Sequence, residues 1–430
     1  MRAVVLGGYG LIGAACVRAL VGAGFEVAGL GRSARAARRS GLAVDWVFGD
    51  LAEMSVSDWR AALAGADVVV NAAGALQDGA RDDLAGVHVR AVERMVAALA
   101  GTGARVVQIS AAGVREGAKA PFFATKAQGD AALAGSGLDH VILRPVLVLA
   151  PNAYGGTALL RAAASLPGIA PRVMPEAMVQ AVHIDDLVAA VVAAAEGRIA
   201  SGTVAELSEA GVRALPELIM VLRDWMGWAP PLVTLPVPSW TLGLVSRGAD
   251  LAGRLGWRSP LRRAAIRALA AGVRGDPGAW IAAGGVPCRS LEDSLATMPA
   301  TLQDRWFARA YLAFPVAVGL LALFWIVSGA VGLVRFDAAV AVLTGRGFGP
   351  GVAALAVGLG AAVDIGLGAA ILWRRWTAAA SLGMILVSLG YMAGAAWFAP
   401  DLWADPLGPM VKVLPGIGLA LFTALMAEER

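Results

Sequence analysis

The chain is poor in the residues that build covalent or metal-held scaffolds, with 2 cysteines (Cys16 and Cys288) and 3 histidines in 430 residues. That excludes a disulfide framework and supplies no His/Cys cluster, so no structural metal is expected. Charge is also scarce, at 16% of residues against 58% hydrophobic, and the mean hydropathy is +0.68. A wholly soluble protein does not carry that composition, so part of the chain is expected in lipid. The scarcity is uneven: apolar runs alternate with charges over the first three hundred residues, and long uncharged stretches appear only after about Tyr311. No apolar leader precedes the first strand, because Met1-Arg2 runs straight into it, and the N-terminal half is therefore expected in the cytoplasm. The net charge of +4 and pI near 9.4 come from scattered arginines. Arg258, Arg262, Arg263 and Arg267 are expected to face anionic lipid heads, and no nucleic-acid partner is expected.

What the chain does have begins at once. Val4-Val5-Leu6 feeds Gly7-Gly8-Tyr9-Gly10-Leu11-Ile12-Gly13, followed by the helical pattern Ala14–Leu20 and a second strand at Glu26–Leu30. A buried strand, a glycine turn and a helix N-terminus together let backbone amides approach a pyrophosphate, which points to a dinucleotide held by Gly7, Gly10, Leu11, Ile12 and Gly13. Further strand-like runs follow at Trp46–Phe48, Val68–Asn71, Val106–Ser110 and Val141–Leu143, separated by helical patterns. This rhythm predicts an α/β fold with a doubly wound parallel sheet. Its ligand is then expected at the carboxyl ends of the strands, where Gly31–Ser33, Asp50-Leu51, Asn71–Gly74 and Ser110-Ala111 gather.

The second strand ends in Gly31-Arg32-Ser33, where an acid would normally hold the ribose hydroxyls of NAD. A guanidinium there suits a 2′-phosphate, so NADP(H) is expected in preference to NAD(H).

Residues 1–300 resemble the short-chain dehydrogenase/reductase superfamily, in its extended and atypical branch that includes relatives of an accessory subunit of respiratory complex I. The likeness lies in the glycine turn, Gly49-Asp50-Leu51, Asn71-Ala72-Ala73-Gly74, Ser110-Ala111-Ala112-Gly113, Leu143-Arg144-Pro145 and Val182-His183-Ile184-Asp185-Asp186. It implies a Rossmann-type domain with a small substrate lobe over about 151–298. It also implies cofactor contacts at Asp50 (which in the family usually meets the adenine), Leu51, Ala73 and Lys126, and catalytic roles for Ser110 and Lys126.

One departure from the family pattern bears on chemistry. The family places a tyrosine four residues before the lysine to donate or accept the substrate proton, and in Pro121–Asp130 that position holds Phe122. A phenyl ring has no proton to give. Three accounts stand open: structural or sensing use of the cofactor; hydride transfer to an acceptor such as a quinone, with the proton from water or another residue; or replacement of the tyrosine by Ser110, Thr125 or His88. His88 is either a general acid–base or a helix residue hydrogen-bonded beside the cofactor. In Asp185-Asp186 an N-cap of the following helix is expected. Trp225, Trp228, Trp240 and Trp257 fit either a tryptophan-containing core or, over Leu232–Gly256, a helix lying at headgroup depth.

After a linker containing Gln303–Arg309, four apolar stretches are each long enough to span a bilayer: about Tyr311–Val334, Gly351–Trp373, Thr377–Phe398 and Pro409–Met426. Arg305, Arg309, Arg374, Arg375 and Arg430 flank one side, with only Arg335 and Arg346 arguing otherwise, so both termini are expected in the cytoplasm of a multi-pass cytoplasmic-membrane protein. Residues 301–430 resemble the DoxX-like family of four-helix membrane domains in Phe324–Gly329, Asp364–Gly368 and Leu402–Pro415, although Val413 stands where an asparagine is frequent. Asp364, deep in its span, is a functional candidate or a bundle-locking group. Lys412 lies near the outer end of the last span, about nine residues from the depth of Asp364, or roughly 13 Å at the helical rise, so direct pairing is not expected. The fusion implies a small-molecule or lipid-soluble substrate such as a quinone, an isoprenoid or a lipid carbonyl, with membrane lipid and a membrane protein as partners. The alternative is a non-catalytic NADP(H)-binding module.

Overall fold

The structure is a computed structural model that describes residues 1–79, 83–257 and 259–427. Arg258 and Arg430, invoked above for lipid contact and membrane orientation, lie outside the described residues. The chain forms two compact units, Met1–Arg247 with Pro260–Ala308, and Gly248–Ser259 with Arg309–Arg430.

The first unit is built on seven parallel strands: β1 (Arg2–Leu6), β2 (Glu26–Gly31), β3 (Asp45–Phe48), β4 (Val68–Asn71), β5 (Arg105–Ile109), β6 (His140–Pro145) and β7 (Thr203–Leu207). Their spatial order is β7-β6-β5-β4-β1-β2-β3. Side chains of β1 alternate between two cores, Ala3 and Val5 on one face with Val17, Leu20 and Leu187, and Val4 and Leu6 on the other with Trp59, Met95 and Leu99. Both faces are covered, which is why these strands read as continuous apolar runs. Because β2 and β4 flank β1 in register at Leu6, the turns after β1, β2 and β4 emerge side by side at the topological switch point.

The seventh strand was not expected. It is an edge strand with Val204 exposed and Glu206 half-buried, so it lacks the apolar run of its neighbours. The helix spans Ile184–Ala195 and so starts two to three residues earlier than an N-cap at Asp185 or Asp186 requires. Its cap is His183, whose Nδ1 accepts the Asp185 amide at 3.1 Å, while Asp186 pairs with Arg289 at 2.8 Å. Both acids stay in the first turn, where the helix dipole favours them.

Beyond the sheet, a smaller core joins Leu149, Leu160, Leu218, Leu222, Leu291 and Leu295. Trp225 and Trp228 pack against it, and the Trp225 indole donates to the Met298 carbonyl at 2.6 Å. The stretch Leu232–Gly256 is not one helix. Val233–Pro236 pairs as a strand with Ile169–Arg172, and the helix begins only at Ser239, because Pro236 and Pro238 disfavour helical backbone in and before them.

In the second unit three helices are long and apolar enough to cross a membrane: Leu302–Val334, Pro350–Ala370 and Thr377–Phe398. The first begins inside the expected linker, capped by Thr301 and Asp304, so residues 302–309 are helical rather than loop. The fourth stretch is helical only over Val413–Met426. Its 14 residues reach about 21 Å, short of a hydrocarbon core of about 30 Å.

Candidate functional site

The glycine turn is fixed by backbone geometry. Gly7 has a left-handed φ of +69°, and a Cβ on it would sit 3.0 Å from the Ala73 Cα. A Cβ on Gly13 would sit 2.2 Å from the Gly7 carbonyl oxygen. Gly10 donates to that same oxygen at 2.8 Å and precedes the Leu11–Gly22 helix, whose first-turn amides at Leu11, Ile12 and Gly13 have no carbonyl behind them in the helix. The result is a side-chain-free cradle beneath a helix N-terminus, the shape and polarity that a pyrophosphate requires.

At the end of β2, the Arg32 amide donates to the Tyr9 hydroxyl at 3.1 Å, and the Arg32 guanidinium lies 4.0 Å from the Asp50 carboxylate, both side chains partly exposed. Asp50 accepts the Ala52 amide at 3.1 Å, and Leu51 is buried in the core. Tyr9 lies against Gly31, with its ring 5.9 Å from Trp46, which stacks on Phe48. This aromatic wall was missed in the sequence. Its signal was an aromatic inside the glycine turn, facing strand ends that are themselves aromatic.

On the other side of β1, Asn71 orders the loop after β4 by accepting the Ala73 amide at 3.1 Å and donating to Gln108 at 2.8 Å. The Pro121–Ala134 helix then brings in Lys126, only 6% exposed, whose Nζ donates to the Ile109 carbonyl at 3.0 Å and lies 5.9 Å from the centre of the Phe122 ring. Burial lowers the Lys126 pKa to about 8, partly opposed by Asp130. Ser110 donates to Asp130 at 2.7 Å, and the same carboxylate oxygen receives Arg144 at 2.9 and 3.1 Å. Asp130, 3% exposed, was also missed. Four residues after Lys126 it falls on the same helix face, which is the spacing that could have found it.

His88 lies in a π-helical turn, Gly86–Arg90, and is buried. Its Nε2 accepts the Ala75 amide at 3.2 Å, which assigns the proton to Nδ1, and Nδ1 donates to Thr125 at 2.9 Å. Thr125 passes the chain on to the Pro121 carbonyl at 2.9 Å. Burial and the Lys126 charge lower the His88 pKa to about 3. Both nitrogens are therefore engaged and the ring stays neutral near pH 7, as befits a hydrogen-bonded helix residue. Phe122 packs edge-on to it at 5.6 Å. A Cβ on Gly74 would be 3.4 Å from His88 Nε2 and 3.7 Å from Lys126 Nζ, so Gly74, His88 and Lys126 share one corner of the site.

In the second unit Asp364 is buried, accepting Tyr391 at 3.1 Å and Ser328 at 3.3 Å from the two neighbouring long helices. Among the described residues it has no ion pair with Lys412 or any other basic side chain, and Lys412 is exposed at the start of the last helix.

Residues 7–183 match a family model described as NAD(P)H-binding, and residues 322–421 match one described as the DoxX-like family. The N-terminal part of the chain is thus similar to NAD(P)H-binding domains and the C-terminal part to DoxX-like domains. Among similar solved structures are the Bordetella bronchiseptica enzyme WbmG in complex with NAD and UDP (18% identity, TM-score 0.53, covering 72% of this chain and 96% of that one) and the UDP-glucose 4-epimerase of Thermotoga maritima with UDP-glucose (17%, 0.53, 73% and 100%). The UDP-glucose 4-epimerase of Thermus thermophilus, solved with NAD, is similar at 19% identity and TM-score 0.51, covering 70% of this chain and 98% of that one. At these identities they establish the Rossmann-type fold. No curated protein matches the sequence.

Proposed function

We propose that this chain is a membrane-anchored oxidoreductase that uses NADP(H) to reduce a lipid-soluble acceptor, such as a quinone, that needs no proton from a protein side chain. The carrying observation is the division of the site: the glycine cradle and the buried Lys126 are intact, whereas the tyrosine position is Phe122 and His88 is locked neutral. Bound NADPH would supply a hydride. The cradle at Gly7, Gly10 and Gly13 would hold its pyrophosphate, Asp50 and Leu51 its adenine end, and Lys126 its nicotinamide ribose. Ser110, ordered by Asp130, would line the reacting end.

Arg32 supports NADP(H): it can leave the partly exposed Asp50 at 4.0 Å for a 2′-phosphate, a stronger, two-pronged partner. A quinone suits a site without a tyrosine, because after hydride addition the remaining proton can come from water. With Arg305, Arg309, Arg374 and Arg375 on the cytoplasmic side, the nucleotide site would face the cytoplasmic NADPH pool.

Phe122 also favours a second reading, a non-catalytic module in which NADP(H) stabilises a membrane assembly. Anaerobic mixing of the NADPH-loaded full chain with a short-chain quinone separates the two. Loss of nicotinamide absorbance that Lys126→Met slows is expected of the enzyme. Tight binding with slow cofactor exchange and no oxidation by short-chain quinones would instead favour the module.

A further inference from the structure

The Ser239–Arg254 helix exposes an unusual face. At helical spacing, Trp240, Leu244, Arg247, Leu251 and Arg254 are all exposed, with Trp240 at 70%, Leu244 at 62% and Leu251 at 60%, whereas Ser246 is buried. Leu232, Val233 and Leu235 in the strand before it are exposed as well. Single exposed leucines are ordinary, but a tryptophan and several aliphatic side chains on one continuous segment form a patch that water does not favour. Indole, leucine and arginine on one helical face is the composition of a helix lying in the plane of a membrane interface, with stems buried and guanidiniums among the headgroups.

Two further observations identify what covers this face. The chain leaves the helix at Leu255–Trp257 tied to the end of a membrane span: the Arg374 amide donates to the Leu255 carbonyl at 3.0 Å, the Trp257 indole donates to the Leu372 carbonyl at 2.7 Å, and the Arg374 guanidinium stacks 5.6 Å from the Trp257 ring. Leu372–Arg374 is the turn that closes the second span, so the helix terminus is held at the level where a bilayer's headgroups begin. The charge agrees: the face exposes Arg247 and Arg254, with the half-buried Asp250 between them, and the span turn exposes Arg375.

We infer that the Ser239–Arg254 helix is an in-plane anchor that binds anionic phospholipid headgroups, a contact separate from the membrane spans themselves. The inference rests on the membrane reading of the second unit and is independent of whether the nucleotide site turns over.

The test uses the full chain in nanodiscs of phosphatidylcholine, with and without phosphatidylglycerol. An environment-sensitive fluorophore is placed at Leu244→Cys in a Cys288→Ser background, Cys16 being buried, with Ser57→Cys as an exposed control. In anionic discs the Leu244 probe is expected to shift to the blue and to resist aqueous acrylamide, while the Ser57 probe stays quenched. Arg247→Glu and Arg254→Glu should each lower the preference for anionic lipid by at least roughly fivefold. A Leu244 probe quenched as readily as Ser57 in both lipids would overturn the anchor. Equal shielding in both lipids, unmoved by the arginine changes, would overturn the assignment to anionic headgroups. Recovery of the chain in nanodiscs reports separately on the membrane reading, and an NADPH titration reports on the fold of the nucleotide-binding unit.

Discussion

The glycine cradle and the Phe122 corner lie at the same end of one sheet, on opposite sides of β1, and are built to different standards. The cradle tolerates nothing: Gly7 and Gly13 sit where any side chain would meet backbone at 3.0 and 2.2 Å. In the Phe122 corner the polar side chains turn to protein partners, although Asp130 Oδ1 is buried without one. His88 is held from both nitrogens, Ser110 is turned to Asp130, and Lys126 to Ile109. On the proposed reading, binding geometry and proton-transfer geometry are separable within one fold, and this chain keeps the first without the second.

The sharpest way to break that contrast is Gly13→Ala. The added methyl collides with backbone that cannot rotate away, so NADPH binding should fall below detection in a fluorescence titration while the sheet, by circular dichroism, remains. Persistent affinity would mean that the cofactor does not use the cradle. Lys126→Met should weaken NADPH by roughly 10- to 100-fold, the range for losing hydrogen bonds from a charged donor.

Lys126 also gives the contrast a pH signature. Its folded pKa of about 8 lies below the ordinary 10.5, so the unfolded chain binds that proton more tightly. Stability should therefore rise between pH 8 and 10.5, by up to about 3 kcal/mol. Over the same window the ammonium is lost and NADPH affinity should fall. Chemical denaturation and binding titrations of the wild type against Lys126→Met would show both trends flattened in the variant. Trends that persist without the lysine would assign them to another group.

Smaller effects test the periphery. Arg32→Asp should reduce the preference for NADPH over NADH about tenfold, the scale of a charge-assisted contact, and equal loss for both cofactors would deny Arg32 a role in the choice. Tyr391→Phe should lower stability by about 1 kcal/mol, the net worth of one hydrogen bond, as read by thermal unfolding in detergent.

Much of this contrast was legible in the sequence, because it rests on residue types at fixed spacing. Gly7, Gly10 and Gly13 announce a backbone approach, alternating apolar runs announce a buried parallel sheet, and Phe122 before Lys126 announces a missing proton. What was illegible depended on partners distant in the chain. The tautomer of His88 is set by Ala75 and Thr125, Asp130 acquires its meaning from Ser110 and Arg144, and β7 shows no apolar run because one side of it is open. Helix limits were misread where a cap or a proline decides them, as at His183 and at Pro238.

The most direct test compares the wild type with Phe122→Tyr in two assays, NADPH affinity and NADPH-dependent reduction of a panel of ketones and aldehydes. Equal affinity is expected, with carbonyl reduction confined to the tyrosine variant and enhanced on the order of 100-fold, the lower range for a positioned general acid. A wild type that reduces carbonyls as fast as the variant would contradict the account, because it would mean that a group already present, such as the Lys126 ammonium, supplies the proton without the tyrosine.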